Sequence, residues 1–288
     1  MNLVFFCKSY IGDLYRFMRL WESLKKNNPE KIPFYACIPA ADFHAFKSVI
    51  VDHAVINWIA DEDVVKSSPG GSLELYHSLD GRLSQQIIKA EAWRVIGCSN
   101  YVCFDSDCVF IRNVFSTDFL SPDGFPYTVM HQHKCFLEEA IVKNKTKYLQ
   151  YFKEESKKIK SVFHREGLDF EFGPNPYIWS SRVWNDLFQK TLSPNGQTLW
   201  TAIIDTPTEW RWYGESLLLH KSIPLMPIEP LMKAFLYQWQ VKKFKQSFKE
   251  LPKLYLGVLI QSNWEFELDY KKKKISSIFI RKIRRLFG

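Results

Sequence analysis

The sequence YVCFDSDCVF, residues 101–110, has two carboxylates directly after an apolar run. A bounded apolar run of this length is typical of a buried strand. In open α/β sheets, ligands bind beyond the carboxyl ends of the strands, where Asp105 and Asp107 would lie. Two carboxylates this close repel each other unless a cation separates them, and Mg²⁺ or Mn²⁺ is usually held by one or two carboxylates plus substrate phosphates. The stretch predicts a metal and diphosphate site; a pair of solvated turn acids is the alternative.

Three earlier apolar runs, at residues 2–7, 33–38 and 54–59, predict strands with helical segments between them. This alternation is typical of an α/β protein with a mostly parallel sheet flanked by helices. Residues 61–72, acidic and then rich in Ser, Pro and Gly, predict a loop. With 288 residues and 46% hydrophobic content, the chain is long enough for one large α/β domain.

Three other segments carry a family resemblance: CKSY at residues 7–10, QQIIK at 85–89 and EWRWYG at 209–214. Together with the Asp-Ser-Asp strand, they resemble segments of GT-A glycosyltransferases, and more closely a bacterial branch catalogued as a domain of unknown function. The resemblance covers about residues 1–220. It implies a GT-A fold over residues 1–270, and transfer of a sugar from a nucleoside diphosphate-sugar with Mn²⁺ or Mg²⁺ as the cofactor.

The resemblance assigns the donor to the loop after the first strand, to a helix predicted at residues 83–96 with Ser84 as its cap, and to the Asp-Ser-Asp segment. The implied donor-binding residues are Lys8, Ser9, Tyr10, Gln86, Lys89, Asp105 and Ser106, and the implied metal ligands are Asp105 and Asp107. From the residues alone, a helix start can hold an anion, and so can a Lys there, which favours a functional role for Lys89. The alternative is that Gln85, Gln86 and Lys89 are exposed polar residues.

Residues 209–215 set two acids among aromatic side chains. An inverting glycosyl transfer needs a base near the anomeric carbon, and apolar surroundings raise the pKa of a carboxylate towards that use. Glu209 and Glu215 are therefore the candidate catalytic residues, and the resemblance aligns Glu209 with the family's acid. Arg211 stands where that family often has a second acid. The alternative is an acid that caps a helix beginning near Tyr213.

In GT-A folds, the half of the chain after the Asp-Ser-Asp segment forms the acceptor side. The acceptor-binding residues predicted on this basis are Asn175, Tyr177, Trp179, Ser180, Trp210 and Tyr213. His131 and His133 have the spacing of zinc ligands, but no Cys or carboxylate is spaced to complete such a site. Because no His follows His220, a third metal ligand on a late loop would have to be Gln261 or Asn263.

The net charge of +8 would by itself suggest nucleic-acid binding. However, residues 271–288 hold eight of the 39 basic residues and no acid, so the rest of the chain is balanced. Apolar residues at helical spacing run between these basic residues, which is typical of a helix in an anionic membrane interface. We therefore predict a membrane-association tail at 271–288 and no nucleic-acid partner. A docked surface helix is the alternative for this tail.

Six cysteines without a CxxC pair, and no long apolar run at the N-terminus, predict a cytoplasmic protein with reduced thiols. With the tail, this predicts a peripheral enzyme on the inner face of a bacterial cell membrane, acting on a lipid-linked or envelope glycan acceptor. Two other functions stay open. One is a haloacid-dehalogenase-like phosphatase, which residues 105–109 mimic, although its motif normally lies near the start of the chain. The other is a non-enzymatic membrane-surface or nucleic-acid binding protein.

Overall fold

The computed structural model describes residues 2–142, 144–235, 238–244 and 247–261. The predicted tail at 271–288, the predicted domain boundary at 270 and Asn263 lie outside the described residues.

The strands have the following bounds: β1 Leu3–Lys8, β2 Phe34–Ile38, β3 Asn57–Ala60, β4 Asn100–Phe104, β5 Cys108–Phe110, β6 Thr128–Val129, β7 Tyr177–Ser180, β8 Pro227–Ile228, β9 Met232–Phe235 and β10 Gly257–Ile260. The helices have the following bounds: α1 Leu14–Asn27, α2 Phe43–Val49, α3 Asp61–Ser67, α4 Leu73–Ser78, α5 Gly81–Glu91, α6 Trp93–Ile96, α7 Lys134–Val142, α8 Lys147–Val162, α9 Ser181–Asp186, α10 Leu199–Asp205, α11 Glu209–His220 and α12 Gln238–Phe244.

A five-stranded sheet with the order β3-β2-β1-β4-β7 forms the centre of the protein. All neighbours in it are parallel except β7, which runs antiparallel to β4. The chain winds from β1 to β3 and then returns to place β4 on the other side of β1. The predicted mostly parallel sheet is therefore confirmed, and its winding direction reverses between β1 and β4, where open α/β sheets bind their ligands.

Helices cover both faces of this sheet, which explains the continuous apolar run of β4. Tyr101 and Cys103 pack with side chains of α5 and α11, whereas Val102 and Phe104 pack with side chains of α1 and α2. Because successive side chains of a strand point to opposite faces, both faces of β4 must be apolar. The strand is fully buried as a result.

The Asp-Ser-Asp segment connects this sheet to a second one with the order β5-β10-β9. The amide of Cys108 donates to the Asp105 carbonyl at 3.1 Å, and the amide of Ile260 donates to the Asp107 carbonyl at 3.1 Å. The backbone of the segment is thereby held between two sheets.

Several predicted boundaries were wrong. Residues 61–67 form helix α3 rather than a loop, because three acids in its first turn suit a helix N-terminus while Val64 and Val65 are buried. Helix α5 begins at Gly81, since the Asp80 side chain, and not Ser84, accepts hydrogen bonds from the first amides. Helix α11 begins at Glu209 rather than near Tyr213.

All six cysteines are free thiols. Within the part of the chain that the structure describes, no helix is both long enough and apolar enough to cross a membrane.

The close approach of α11 to Phe172 gives a stability test. A methyl group on Gly214 would fall inside the Phe172 ring, which is itself buried. We expect Gly214→Ala to lower the free energy of unfolding by about 1–3 kcal/mol in urea titrations, as overpacking does. The matched control is Gly81→Ala at the start of α5, where an added methyl meets nothing within 4 Å and should cause no loss. A Gly214→Ala protein as stable as the wild type would contradict this packing.

Candidate active site

A cavity of about 670 Å³ opens at the carboxyl ends of β1 and β4. Its walls come from the loop after β1, the start of α1, the start of α5 and the Asp-Ser-Asp segment, and Gln261 closes one side. This volume is in the range of small-molecule sites. Of the residues predicted for the donor and the metal, six line the cavity: Lys8, Ser9, Tyr10, Asp105, Ser106 and Asp107.

A hydroxyl pair joins the two loops that carry these residues. The Ser106 hydroxyl donates to the Ser9 hydroxyl at 2.9 Å, and both side chains are buried. The Ser9 amide also donates to the Cys37 carbonyl of β2 at 2.9 Å. The loops after β1 and β4 are therefore held together without any bound ligand.

Lys8 forms a buried ion pair, with its Nζ 2.7 Å from Oδ2 of Asp61. Asp61 is fully buried and also accepts the Tyr76 hydroxyl at 2.6 Å and the Cys37 thiol at 3.1 Å. Burial and the Asp61 carboxylate raise the pKa of Tyr76 well above its ordinary range. The charge of Lys8 is thus balanced inside the cavity wall. Asp61 was missed from the sequence because its segment was predicted as a loop; an acid triplet before two valines was the signal for a helix start.

Asp105 is held at both carboxylate oxygens. Lys89 Nζ contacts Oδ1, and the Asn175 side-chain amide donates to Oδ2. Lys89 is almost fully buried, and its Nζ also lies 3.9 Å from Oε1 of Glu209. Burial alone lowers the pKa of Lys89, but the carboxylates of Asp105 and Glu209 raise it above its ordinary value. Lys89 is therefore an ammonium whose single charge is paired with Asp105 and lies close to Glu209.

Asp107 is less well satisfied, since its buried Oδ1 has no hydrogen-bond partner among the described residues. Burial and the neighbouring charges of Asp105 and Asp13 raise the pKa of Asp107 to about 7. A divalent cation would supply the missing partner and oppose the repulsion. Among the described residues, no group of three or more His, Cys, Asp or Glu could hold a metal ion. Carboxylate oxygens suit Mg²⁺ or Mn²⁺, whose other ligands are usually water and phosphate oxygens, so Asp105 and Asp107 fit an ion of this kind.

Glu209 is the first residue of α11 and is fully buried. Neither of its carboxylate oxygens has a hydrogen-bond partner among the described residues. Burial raises the pKa of Glu209 to about 7, against the opposing effect of Lys89. Glu209 does not line the cavity, and Lys89 lies between it and Asp105.

The second predicted base, Glu215, has a structural partner. Arg165 Nη2 lies 2.5 Å from Oε1 of Glu215, and its Nε contacts Oε2. The structure does not bring Glu215 to the cavity. Arg211, the other charged residue of this helix turn, pairs with Glu171 at 2.6 Å and with Glu155 at 2.7 Å.

Most of the predicted acceptor residues lie in the core. The rings of Tyr177 and Trp179 stack with centroids 4.9 Å apart, and Trp210 stacks on Tyr177 at 5.7 Å. The Ser180 amide donates to the Tyr213 hydroxyl at 2.9 Å. None of these five side chains lines the cavity.

Two other predicted polar residues differ in position from what the sequence suggested. Asn175 contacts the Asp-Ser-Asp segment rather than an open acceptor surface. On α5, Gln85 lines the cavity, whereas Gln86 is buried with its Oε1 unpartnered among the described residues. A buried aromatic wall and an exposed sugar platform have the same composition, so the sequence did not distinguish them.

The buried state of Glu209 gives a pH test. Its pKa is about 7 in the folded protein against an ordinary value of 4.5, so folding favours the protonated carboxyl. The contribution of this shift to the free energy of unfolding is fully present below the ordinary pKa of 4.5 and is lost as the pH rises through about 7. Glu209→Gln stays neutral at every pH. We therefore expect the free energy of unfolding of the wild type to fall by up to about 3 kcal/mol over this pH interval because of Glu209. The variant should not show this fall.

Urea unfolding of the wild type and Glu209→Gln from pH 4 to pH 8 measures this difference, since other titrating groups cancel between the two proteins. Glu138→Gln, at an exposed glutamate of α7, is the matched control and should follow the wild type. Parallel curves for wild type and Glu209→Gln would show that Glu209 titrates normally.

Comparisons with known proteins place the chain in a family. Among solved structures, it is similar to mouse xyloside xylosyltransferase 1 in its apo form, at 7% sequence identity and a TM-score of 0.49, over 91% of this chain and 99% of that chain. A likeness of this strength indicates neither a substrate nor a reaction. No curated protein matches the sequence. The model of the Family of unknown function (DUF6492) matches residues 3–218, which is well over half of the chain. The chain therefore belongs to the family of unknown function DUF6492.

Proposed function

We propose that this protein is a metal-dependent glycosyltransferase of the GT-A type that uses a nucleoside diphosphate-sugar. The observation that carries the proposal is the Asp-Ser-Asp segment at the switch point of the sheet. There, one carboxylate is held by Lys89 and Asn175 while the buried Oδ1 of Asp107 has no partner among the described residues. Such a site suits a cation shared between protein carboxylates and a diphosphate.

The cavity walls offer groups for the rest of a nucleotide donor. Ser9 and Ser106 supply hydroxyls, and the half-exposed ring of Tyr10 supplies a surface on which a base can stack. The N-terminal turns of α5 also face the cavity through Ser84 and Gln85, and the positive end of a helix favours phosphate groups. Lys8 forms part of the cavity wall beside the donor. It does not act as a free cation there, since its charge is balanced by Asp61.

Asp107 would hold the divalent cation, and Asp105 would support it. When bound, Mg²⁺ or Mn²⁺ would neutralise negative charge on the diphosphate as it leaves the sugar. Lys89 and Asn175 keep the Asp105 carboxylate in one orientation, so the site needs little rearrangement when the donor arrives. Gln261, the late residue considered from the sequence as a third ligand, lines the same cavity.

We propose Glu209 as the base of an inverting transfer, because its pKa of about 7 suits proton acceptance near neutral pH and its oxygens are not used in hydrogen bonds to the described residues. The role requires Lys89 to move away from Glu209 while it keeps its contact with Asp105, since Glu209 has no exposed surface. Glu215 is a weaker candidate because Arg165 occupies both of its oxygens.

The acceptor we propose is a lipid-linked or envelope glycan at the inner face of a bacterial cell membrane. The support is the sequence of residues 271–288, which carry eight basic residues and no acid around an apolar stripe. Each Lys or Arg near an anionic surface contributes on the order of 1 kcal/mol to binding. The balanced charge of the remaining chain speaks against nucleic acid as a partner.

The metal assignment predicts the outcome of Asp107→Asn. Calorimetric titration with a panel of nucleoside diphosphate-sugars should show Mn²⁺-dependent binding to the wild type and its loss in the variant, because an amide cannot replace the charge of the carboxylate. Asp123→Asn, at an exposed turn, is the matched control and should bind like the wild type. Unchanged affinity in Asp107→Asn would remove the metal-diphosphate proposal.

The base assignment predicts that Glu209→Gln lowers turnover by about 10² or more while donor affinity is nearly retained, since the change removes basicity but keeps the shape. Turnover is measured with the donor found in the binding panel, on protein shown to be folded. Glu215→Gln is the comparison variant. Its turnover should fall only in proportion to any decrease in the fraction of folded protein. If Glu215→Gln alone loses turnover, the base lies six residues further along α11.

A further inference from the structure

Two large, exposed apolar side chains belong to the chain segment 10–16, which forms part of the cavity wall. Ile11 is 47% exposed and Tyr15 is 69% exposed. They alternate along the chain with residues that line the cavity, namely Tyr10, Asp13 and Arg16. We call Ile11 and Tyr15 the rim pair. Their position at the cavity edge distinguishes them from single exposed apolar residues elsewhere, which need no explanation.

The backbone under the rim pair is fixed. The Ile11 amide donates to Oδ2 of Asp42 at 2.8 Å, and the Asp13 amide donates to the Tyr10 carbonyl at 2.8 Å. Asp13 is also in contact with Arg16. Asp13 is thus paired with a cation, which weakens its repulsion of an anionic surface.

The end of the described chain lies at the same cavity. The Ile260 amide donates to the Asp107 carbonyl at 3.1 Å, and Gln261 is part of the cavity wall. Nine residues, 262–270, lie between Gln261 and Lys271, and the ten steps from one to the other span at most about 35 Å. The chain length therefore allows the basic, acid-free residues 271–288 to begin no more than about 35 Å from Gln261. An anionic bilayer is the partner that would bind both a basic amphipathic segment and the apolar rim pair.

We propose that the rim pair inserts into the interface of an anionic lipid bilayer and turns the cavity mouth towards the membrane. The proposal rests on the proposed function, because a lipid-linked acceptor is reached only if the cavity faces the bilayer. Tyr and large apolar side chains are favoured at the depth of the lipid headgroups. The rim pair then sets orientation, whereas the basic residues supply attraction over a longer distance.

The test is sedimentation of the full chain with vesicles of phosphatidylcholine mixed with phosphatidylglycerol. The variants are Ile11→Ser with Tyr15→Ser, and a control pair, Val51→Ser with Val55→Ser. The control side chains are 69% and 65% exposed and precede β3, at the opposite edge of the sheet from the cavity. We expect the rim variant to bind vesicles at least about tenfold more weakly, from the lost burial of apolar surface, and the control pair to bind like the wild type. Circular dichroism and urea unfolding check that both variants are folded.

Three results would overturn the proposal: vesicle binding by the rim variant that equals the wild type, an equal loss in the control pair, or no sedimentation of the wild type. High salt separates the two contributions, because it screens the basic residues but leaves the apolar contact. Mn²⁺-dependent donor binding in calorimetry reports on the proposed function independently. If donor binding persists while the rim has no effect, only the membrane orientation fails; if no donor binds, the glycosyltransferase proposal fails whatever the vesicles show.

Discussion

The buried ammonium of Lys89 joins four parts of the chain at one point. Lys89 comes from α5, and it contacts Asp105 at the end of β4 and approaches Glu209 at the start of α11. Asn175, from the segment before β7, completes the hydrogen bonds of Asp105. Buried charges are costly unless they are paired, and removing one partner from such a group typically costs about 3–5 kcal/mol. The Lys89 ammonium is therefore stable in the core only together with the Asp105 carboxylate, so the elements that carry these two residues are fixed relative to one another.

This arrangement explains the asymmetry of the Asp-Ser-Asp segment. Asp105 is occupied by the protein, whereas the Oδ1 of Asp107 is buried without a partner among the described residues. The opposite wall repeats the same principle, since Lys8 is balanced by Asp61 and Tyr76 also donates to Asp61. Charges in both walls are thus set before any ligand binds. A cation and a diphosphate would enter a site whose polar groups are already oriented, which reduces the reorganisation that binding requires.

The sequence indicated where the Asp-Ser-Asp segment lies in the fold, but not which side chains surround it. The strand before Asp105 was recognisable because burial on both faces demands a continuous apolar run, and parallel winding then places strand ends at one edge. The pairing of Lys8 with Asp61 was not predictable from spacing, because it depends on how β1 and α3 approach each other in the folded chain. Trp179 was predicted as an acceptor contact because an aromatic residue suits a sugar platform, and the structure places its side chain in the core. Tertiary packing decides which side chains of β7 are buried, and the sequence pattern of the strand alone does not show this.

The claim that the Asp-Ser-Asp segment holds a divalent cation together with a diphosphate is tested most directly by crystallography with Mn²⁺ and the nucleoside diphosphate that binds best in the calorimetric panel. Diffraction data collected at the manganese absorption edge locate the ion without reference to activity. We predict an anomalous peak within bonding distance of the Asp107 carboxylate and of a phosphate oxygen, with Lys89 and Asn175 still in contact with Asp105. A nucleotide bound in the cavity with no manganese at Asp107, or manganese bound elsewhere, would contradict the account.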